Sequence, residues 1–140
     1  MSQENVAAQE HLGELINTGK LDRLGEVFAT DVVDHDPAPD QAPGVEGIIA
    51  FFKTLAAAFP DAQLTPDALV DDEDHVCLAY RVTGTHEGDS LVIPPTGRKI
   101  EARGLQIGRF EDGKIVERWG SSDELGILKA LGADVAPVER

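Results

Sequence analysis

The sequence is poor in cysteine, in aromatic residues and in long apolar runs, and each shortage excludes a class of protein. Its 140 residues include one cysteine, so no disulfide can form within the chain. Aromatic residues make up 5%, with a single tryptophan and a single tyrosine. No apolar run approaches the ~20 residues that a membrane-spanning helix needs. Residues 1–10 lack the basic and apolar regions of a secretory signal. We therefore expect a cytoplasmic protein with one domain over residues 1–140.

Positive charge is also scarce. The chain has 12 Lys and Arg against 26 Asp and Glu, which gives a formal net charge of −14 at pH 7. Such an acidic protein repels phosphate backbones and disfavours anionic membranes, so we predict that neither nucleic acid nor a membrane is a partner. The carboxylates are spread along the chain with no acidic run longer than residues 71–74, a pattern typical of a solvated surface.

Motifs for metals and common nucleotide cofactors are missing. No cluster of His and Cys has the spacing of a zinc site. His35 is flanked by Asp34 and Asp36, but three consecutive residues of an extended segment are too close to bind one ion comfortably, so we predict no metal. There is no GxGxxG motif, no P-loop and no GxSxG motif. The lone Cys77 lies in an apolar strand pattern, which favours a buried, inert thiol over a nucleophile.

The first half of the chain has helical periodicity and the second half has strand alternation. The first half predicts a helix ending near Gly19, a short helix over 21–28, an extended piece over 31–36, a loop over 37–44 and a helix over 45–59. The second half predicts strands over 64–70, 76–85, 99–110 and 114–121, then a helix over 124–131. Helices followed by an antiparallel sheet indicate the α+β class. A strongly curved sheet around a long helix would leave a cone with an apolar, ligand-sized interior.

The last two strands are joined at Asp112-Gly113, which suits a two-residue type I′ turn. Counting outward from this turn predicts which side chains share a face. One face would carry Leu105, Ile107, Arg109, Val116, Arg118 and Gly120, and the other Gln106, Phe110, Ile115, Glu117 and Trp119. Alternation leaves open which face lines the cone, because both carry apolar residues. Burial on both sides is expected if one face lines a pocket and the other an interface.

Short segments in a fixed order carry a family resemblance. They are VDHDP at 33–37, GVEG at 44–47, AFPD at 58–61, GTH at 84–86, IPPTGR at 93–98, the hairpin 110–119 and DELGILKALG at 123–132. Together, over about residues 5–132, they resemble the SnoaL-like polyketide cyclase family of the NTF2-like superfamily. The resemblance implies a cone-shaped α+β fold with a deep pocket, and a homodimer formed through the outer sheet face.

The resemblance also implies an activity. Founding members of the family close a ring by intramolecular aldol condensation on polyketide esters, without metal or organic cofactor. Related members act as hydroxylases, isomerases, dehydratases or simple binders. The cyclases carry an acid/base aspartate just after the last-strand tryptophan, and one carboxylate in an apolar pocket can serve both proton transfers. In this chain Gly120 stands at that position, and Arg118 replaces a common histidine.

Three catalytic candidates follow. His35, which matches the family's pocket-facing histidine, would be the base, Arg118 would bind an enolate or carboxylate oxygen, and Asp123 would be an orienting carboxylate or acid. Each has a structural alternative. His35 would be a loop residue satisfied by its neighbours, Asp123 a helix N-cap, and Arg118 the partner of Glu101, Glu117 or Asp123 in an ion pair. The substrate-binding candidates are Phe52, Tyr80, His86, Leu105, Ile107 and Trp119.

Two functions remain open on this sequence. The leading hypothesis is a cofactor-independent enzyme that cyclises, isomerises or hydrates a small hydrophobic, polyketide-like carbonyl compound, and so acts as a lyase or isomerase. The alternative is a non-catalytic small-molecule-binding dimer, because Gly120 removes the expected carboxylate. The apolar loop over 91–98, with two prolines, would be either a stiff lid or a rigid surface connection.

Overall fold

The computed structural model describes residues 2–88 and 94–133, so residues 91–93 of the predicted loop lie outside the described part. The helices are α1 (Ser2–Asn17), α2 (Gly44–Ala58) and α3 (Glu124–Ala130), with a 3₁₀ helix at Leu21–Glu26. The strands are β1 (Phe28–Asp34), β2 (Gln63–Asp71), β3 (His75–Thr85), β4 (Lys99–Glu111) and β5 (Lys114–Ser122). The predicted α+β order is confirmed, and α1 begins earlier than its apolar pattern indicates.

The five strands form one curved, unclosed sheet in the order β1-β5-β4-β3-β2. Strand β1 runs parallel to β5, and the other neighbouring pairs are antiparallel. The parallel pair joins distant parts of the chain, since Asp34 lies beside Arg118. This pairing brings the end of β1 to the middle of the last strand, next to the predicted catalytic residue Arg118.

The turn between β4 and β5 has the predicted geometry. Asp112 and Gly113 both have positive φ, at 52° and 79°, as a type I′ turn requires. Phe110 pairs with Ile115 as predicted, but the register then shifts by one residue, so Arg109 pairs with Glu117 instead of Val116. This β-bulge places an extra residue in β5.

Beyond the bulge the predicted register is wrong. The observed pairs are Gln106 with Gly120, Ile107 with Trp119 and Gly108 with Arg118. Because side chains alternate with a period of two, one extra residue moves every following side chain of β5 to the opposite face. Arg118 and Gly120 therefore share a face with Gln106, whereas Trp119 shares a face with Leu105 and Ile107.

Two hydrophobic clusters hold the helices against the inner face of the sheet. The first cluster contains Leu12, Leu15, Leu24, Val27, Phe28, Val32, Val45, Ile48, Val76, Phe110 and Ile115. The second contains Ala58, Phe59, Ile100 and Leu131, with Leu55, Ala62, Ile127 and Ala130 packed against it. Helix α2 contributes its first half to one cluster and its last turn to the other. It therefore extends from one cluster to the other, with Ile49 and Phe52 of its middle packed against the first.

Among the described residues, no helix is long and apolar enough to cross a membrane. Cys77 is half-buried on the outer face of β3, opposite Ile107 of β4, so the predicted burial of its thiol in the core is wrong. Its apolar surroundings belong to the outer sheet face and not to the core.

Candidate active site

Between the two clusters, the inner face of the sheet is only partly covered. We call this stretch the inner wall; it consists of Leu78, Tyr80 and Val82 of β3, Gln106 of β4, and Arg118 and Gly120 of β5. All six are half-buried, whereas Val76 and Phe110 on one side and Ile100 on the other are buried. Polar and apolar side chains thus share a half-buried surface on the inner face of the sheet, the arrangement typical of a small-molecule site.

Arg118 is the central polar residue of the inner wall. Its Nη1 donates to Oδ1 of Asp34 at 2.7 Å, and its Nε donates to Oε1 of Gln106 at 3.3 Å. The side chains of Arg118 and Asp34 are only 18% and 9% exposed. A guanidinium held on two sides in a sheltered place has a fixed direction, and it can present its remaining N–H groups to a ligand.

Asp34 supports Arg118 and is poorly suited to take a proton. Its Oδ2 accepts from Nε2 of Gln41, and its Oδ1 also accepts from the backbone N–H of Asp36. Burial alone would raise the pKa of Asp34, but these hydrogen bonds and the charge of Arg118 outweigh it, so the pKa lies below its usual value. The carboxylate stays ionised and accepts three hydrogen bonds, from Gln41, Asp36 and Arg118.

Two glycines create the space that the polar side chains occupy. A Cβ added at Gly120 would collide with Nη2 of Arg118, so the guanidinium lies directly over this residue. A Cβ added at Gly104 would collide with the phenol ring of Tyr80 in the same way. Gly120 therefore has a structural consequence besides the absence of the family's aspartate. Because it has no side chain, Arg118 can lie flat along β5. The ion-pair partner of Arg118 is Asp34, and not Glu101, Glu117 or Asp123 as predicted.

Asp123 stands at the edge of this region, directly after β5. The backbone of the preceding Ser122 pairs with Gly104, the residue beneath the Tyr80 ring. The Oδ1 of Asp123 accepts from the backbone N–H of Gly126 at 2.8 Å, so Asp123 is the N-cap of α3. The residue is exposed, and its other oxygen makes no hydrogen bond within the described residues.

His35 lies on the opposite side of the sheet. Its ring stacks on Trp119 with centroids 4.8 Å apart, and its Nε2 contacts Oε2 of Glu117 at 2.7 Å. Glu117 also accepts from Nε of Arg109, and these two hydrogen bonds hold the pKa of Glu117 below its usual value. Both predicted site residues, His35 and Trp119, therefore belong to a cluster on the outer face.

The remaining substrate-binding candidates are dispersed. Tyr80 lies on the inner wall, and Phe52 is half-buried on α2, packed against the first cluster. His86 is fully buried beside Phe59 and accepts from the backbone N–H of Thr96, which makes it part of the packing around the second cluster. Leu105 and Ile107 project from the outer face, 54% and 38% exposed.

Two clefts lie outside the inner wall. One, of about 480 Å³, is lined by Glu4, Asn5, Glu73, Asp74, Phe110, Glu111, Asp112 and Gly113. It has five carboxylates and no cationic lining residue, so it would reject an apolar or anionic compound. The other, of about 240 Å³, lies beside Phe52 and Leu55 near the end of α1. Neither brings an acid, a base and an oxygen-binding group together.

The geometry thus shows an α+β protein whose inner wall combines polar and apolar side chains, and comparison with known proteins identifies the fold as NTF2-like. The family model described as SnoaL-like polyketide cyclase matches residues 6–131. The chain belongs to the SnoaL-like polyketide cyclase family.

Relatives and solved structures point the same way. The chain is 28% identical over 125 residues to aklanonic acid methyl ester cyclase DauD of Streptomyces sp. strain C5, covering 85% of this chain and 76% of that protein. It is 28% identical over 120 residues to nogalonic acid methyl ester cyclase of Streptomyces nogalater, with 83% and 88% covered. The structure of TsrD from Streptomyces laurentii superposes with a TM-score of 0.87 at 28% identity, covering 96% and 98% of the two chains.

Sequence reasoning missed the residues that position Arg118. Asp34, Gln41 and Gln106 were not predicted as site residues. One signal was available for Gln106. On β4 the even-numbered residues from Ile100 to Phe110 carry no charge, whereas five of the seven odd positions are charged: Lys99, Glu101, Arg103, Arg109 and Glu111. The uncharged face is the inner one, and Gln106 is its only hydrogen-bonding side chain.

Proposed function

We propose that this protein is a cofactor-independent cyclase that closes a ring by an intramolecular aldol reaction on a hydrophobic polyketide ester. The observation that carries the proposal is Arg118, held by Asp34 and Gln106 within the inner wall. A fixed donor in a sheltered, mostly apolar place stabilises an oxygen that gains negative charge during a reaction. Membership of the cyclase family supports this assignment over the non-catalytic alternative.

The reaction needs one proton to move twice. In the proposed sequence, Asp123 takes the proton from the carbon between two carbonyl groups of the substrate. The resulting carbanion attacks a ketone carbon, a C–C bond forms, and the ketone π electrons move to its oxygen beside Arg118. Asp123 then returns the proton to that alkoxide, so no other reactant is consumed. Asp123 takes the role predicted for His35, because His35 lies on the outer face.

The substrate class follows from the inner wall and from the relatives. Leu78 and Val82 flank the polar group, so an extended apolar compound with few polar atoms fits there. Two relatives are named as cyclases of aklanonic acid methyl ester and of nogalonic acid methyl ester. An esterified substrate also suits this chain, because a free carboxylate would meet a protein of net charge −14 and an arginine already paired with Asp34.

The direct test is to incubate the purified protein with aklanonic acid methyl ester and with nogalonic acid methyl ester. We expect conversion of at least one ester to an isomer of unchanged mass that contains a new ring, detected by NMR. The corresponding free acids serve as matched controls and should react more slowly. If both esters stayed unchanged under conditions in which a characterised relative converts them, the proposed activity would be wrong.

We further propose that two copies associate through the outer sheet face, where Leu105, Ile107 and Val33 are exposed. The stacked His35 and Trp119 lie on the same face, so this surface combines apolar and aromatic groups, as dimer interfaces do. Such an interface would account for the exposed apolar side chains of Leu105 and Ile107, and for the outward position of Trp119, without any contact to a substrate. The cytoplasmic location stays a prediction.

The dimer can be tested by charge insertion. Ile107→Glu is expected to give monomers in light scattering, because a carboxylate would be buried in an apolar contact. Leu125→Glu is the matched control, since Leu125 is similarly exposed but lies on α3. A wild-type protein that is monomeric at tens of micromolar, or an Ile107→Glu variant that stays dimeric, would contradict this interface.

A further inference from the structure

Two hydrogen-bond donors on the inner wall have no partner within residues 2–88 and 94–133. They are the hydroxyl of Tyr80 and Nη2 of Arg118, whose Nε and Nη1 are already engaged. Both side chains are half-buried, so water or a ligand can reach the donors. Donors that remain free in a sheltered place are available to a ligand oxygen.

Their positions on the sheet bring these donors close together. The Tyr80 ring lies over Gly104 of β4, and the Arg118 guanidinium lies over Gly120 of β5. Gly120 pairs with Gln106, two residues from Gly104 on the same face, so the two glycines are diagonal neighbours. Diagonal neighbours in an antiparallel pair are ~7–8 Å apart, within reach of aromatic and long side chains.

Electrostatics agrees with this placement. Burial raises the pKa of the Tyr80 phenol, and the nearby positive charge of Arg118 opposes that rise. Tyr80 therefore remains protonated at neutral pH and can act as a hydrogen-bond donor. Asp34 neutralises Arg118 from the other side, so a ligand meets two oriented donors rather than an isolated positive charge.

We propose that the Tyr80 hydroxyl and Nη2 of Arg118 form a two-donor oxyanion site, which binds the enolate or phenolate oxygen of a planar carbonyl compound. This inference rests on the proposed function and extends it by adding Tyr80 as a second oxygen-binding donor beside Arg118 and by specifying the ionised ligand. Gly104 and Gly120 are the residues that make the site possible, because any side chain there would displace one donor.

A phenol that changes colour on ionisation tests the site without turnover. Alizarin, a planar dihydroxyanthraquinone, is titrated in its free and protein-bound forms by visible absorption. We expect its first ionisation to shift downward by about one pH unit on binding, which corresponds to about tenfold tighter binding of the phenolate. The protein's net charge of −14 would by itself shift the ionisation upward, so a downward shift requires local donors.

Variants assign the shift to the two donors. Tyr80→Phe removes one oxygen atom, and Arg118→Met removes the guanidinium; each should reduce the shift, and Tyr80→Phe should lose about half of it. Arg109→Met is the matched control, because Arg109 pairs with Glu111 and Glu117 on the outer face. It should keep the wild-type shift.

The outcomes separate this inference from the proposed reaction. A downward shift that Tyr80→Phe and Arg118→Met both reduce supports the oxyanion site, even if no ester is cyclised. Absence of alizarin binding, an unchanged ionisation on binding, or a shift that keeps its full size in Tyr80→Phe or in Arg118→Met would overturn it. Cyclisation by a protein with no shift would leave the proposed function intact and remove only the two-donor site.

Discussion

The variant Asp123→Asn is expected to lower the rate of ring closure by ~100-fold or more, because it removes the group that accepts and returns the proton. Its fold should be unchanged. Asparagine is as good an N-cap as aspartate, so the hydrogen bond to the backbone N–H of Gly126 can be kept. The measurement is the initial rate of ester consumption, together with a thermal unfolding curve that should superpose on that of the wild type.

Two further variants separate catalysis from capping. Asp123→Ser also caps a helix but cannot act as a base, so it should be as inactive as Asp123→Asn. Asp123→Ala loses both functions, and should in addition destabilise the fold by about 1 kcal/mol. Asp123→Asn with a rate within about threefold of the wild type would assign Asp123 to capping alone. A residue other than Asp123 would then have to be the base.

The sequence predicted the elements well because the local signals agreed with the tertiary structure. The Asp112-Gly113 turn, the apolar stripe of α2 and the alternation of β3 each reflect which side of an element is buried. Each is a property of neighbours along the chain. The α+β order and the family resemblance follow from such local patterns and their succession.

The site depended on contacts that local patterns do not encode. The bulge between β4 and β5 adds one residue, and this single insertion decides whether Arg118 or Trp119 faces the interior. Nothing in residues 114–118 marks the extra position, since Ile115 and Val116 are both apolar. His35 was predicted as a pocket residue from the family resemblance and Trp119 from its place at the end of the hairpin, but the two stack on each other on the outer face.

The parallel pairing of β1 with β5 is the second non-local contact. Asp34 and Arg118 are 84 residues apart along the chain, yet their Nη1 and Oδ1 atoms lie 2.7 Å apart. The sequence offers several acidic neighbours for Arg118, and only the sheet order selects Asp34. From the sequence alone, Gly120 looked only like the loss of the family's catalytic aspartate. In the structure, Gly120 leaves the space in which the guanidinium of Arg118 lies.

Replacing Arg118 is expected to affect both activity and stability. Arg118→Met should lower the rate of ring closure by ~100- to 1000-fold, the usual effect of removing one oxyanion donor. It also leaves the largely buried carboxylate of Asp34 without its cation, although Gln41 and the backbone of Asp36 still donate to it. Because those donors remain, we expect a loss of about 1–3 kcal/mol in the free energy of unfolding.

A double-mutant cycle measures this coupling. Asp34→Asn, Arg118→Met and the double variant are compared by urea unfolding, and the double variant should be less destabilised than the sum of the two single variants. The interaction between the two side chains should be about 1–3 kcal/mol at pH 7. Additive single effects would mean that Arg118 is positioned without Asp34. Arg109→Met with Glu117→Gln is the control cycle for a more exposed pair.

The coupling should depend on pH in a direction that the structure fixes. The pKa of Asp34 is lowered in the folded protein, so its ionised form stabilises the native state. This contribution is complete above the unfolded value of 3.8 and is lost as the pH falls through the lower, folded value. The stability difference between the wild type and Asp34→Asn should therefore be largest near neutral pH and should shrink below about pH 4. A difference that grew on acidification would show that Asp34 is protonated in the native state and does not hold Arg118 as an ion pair.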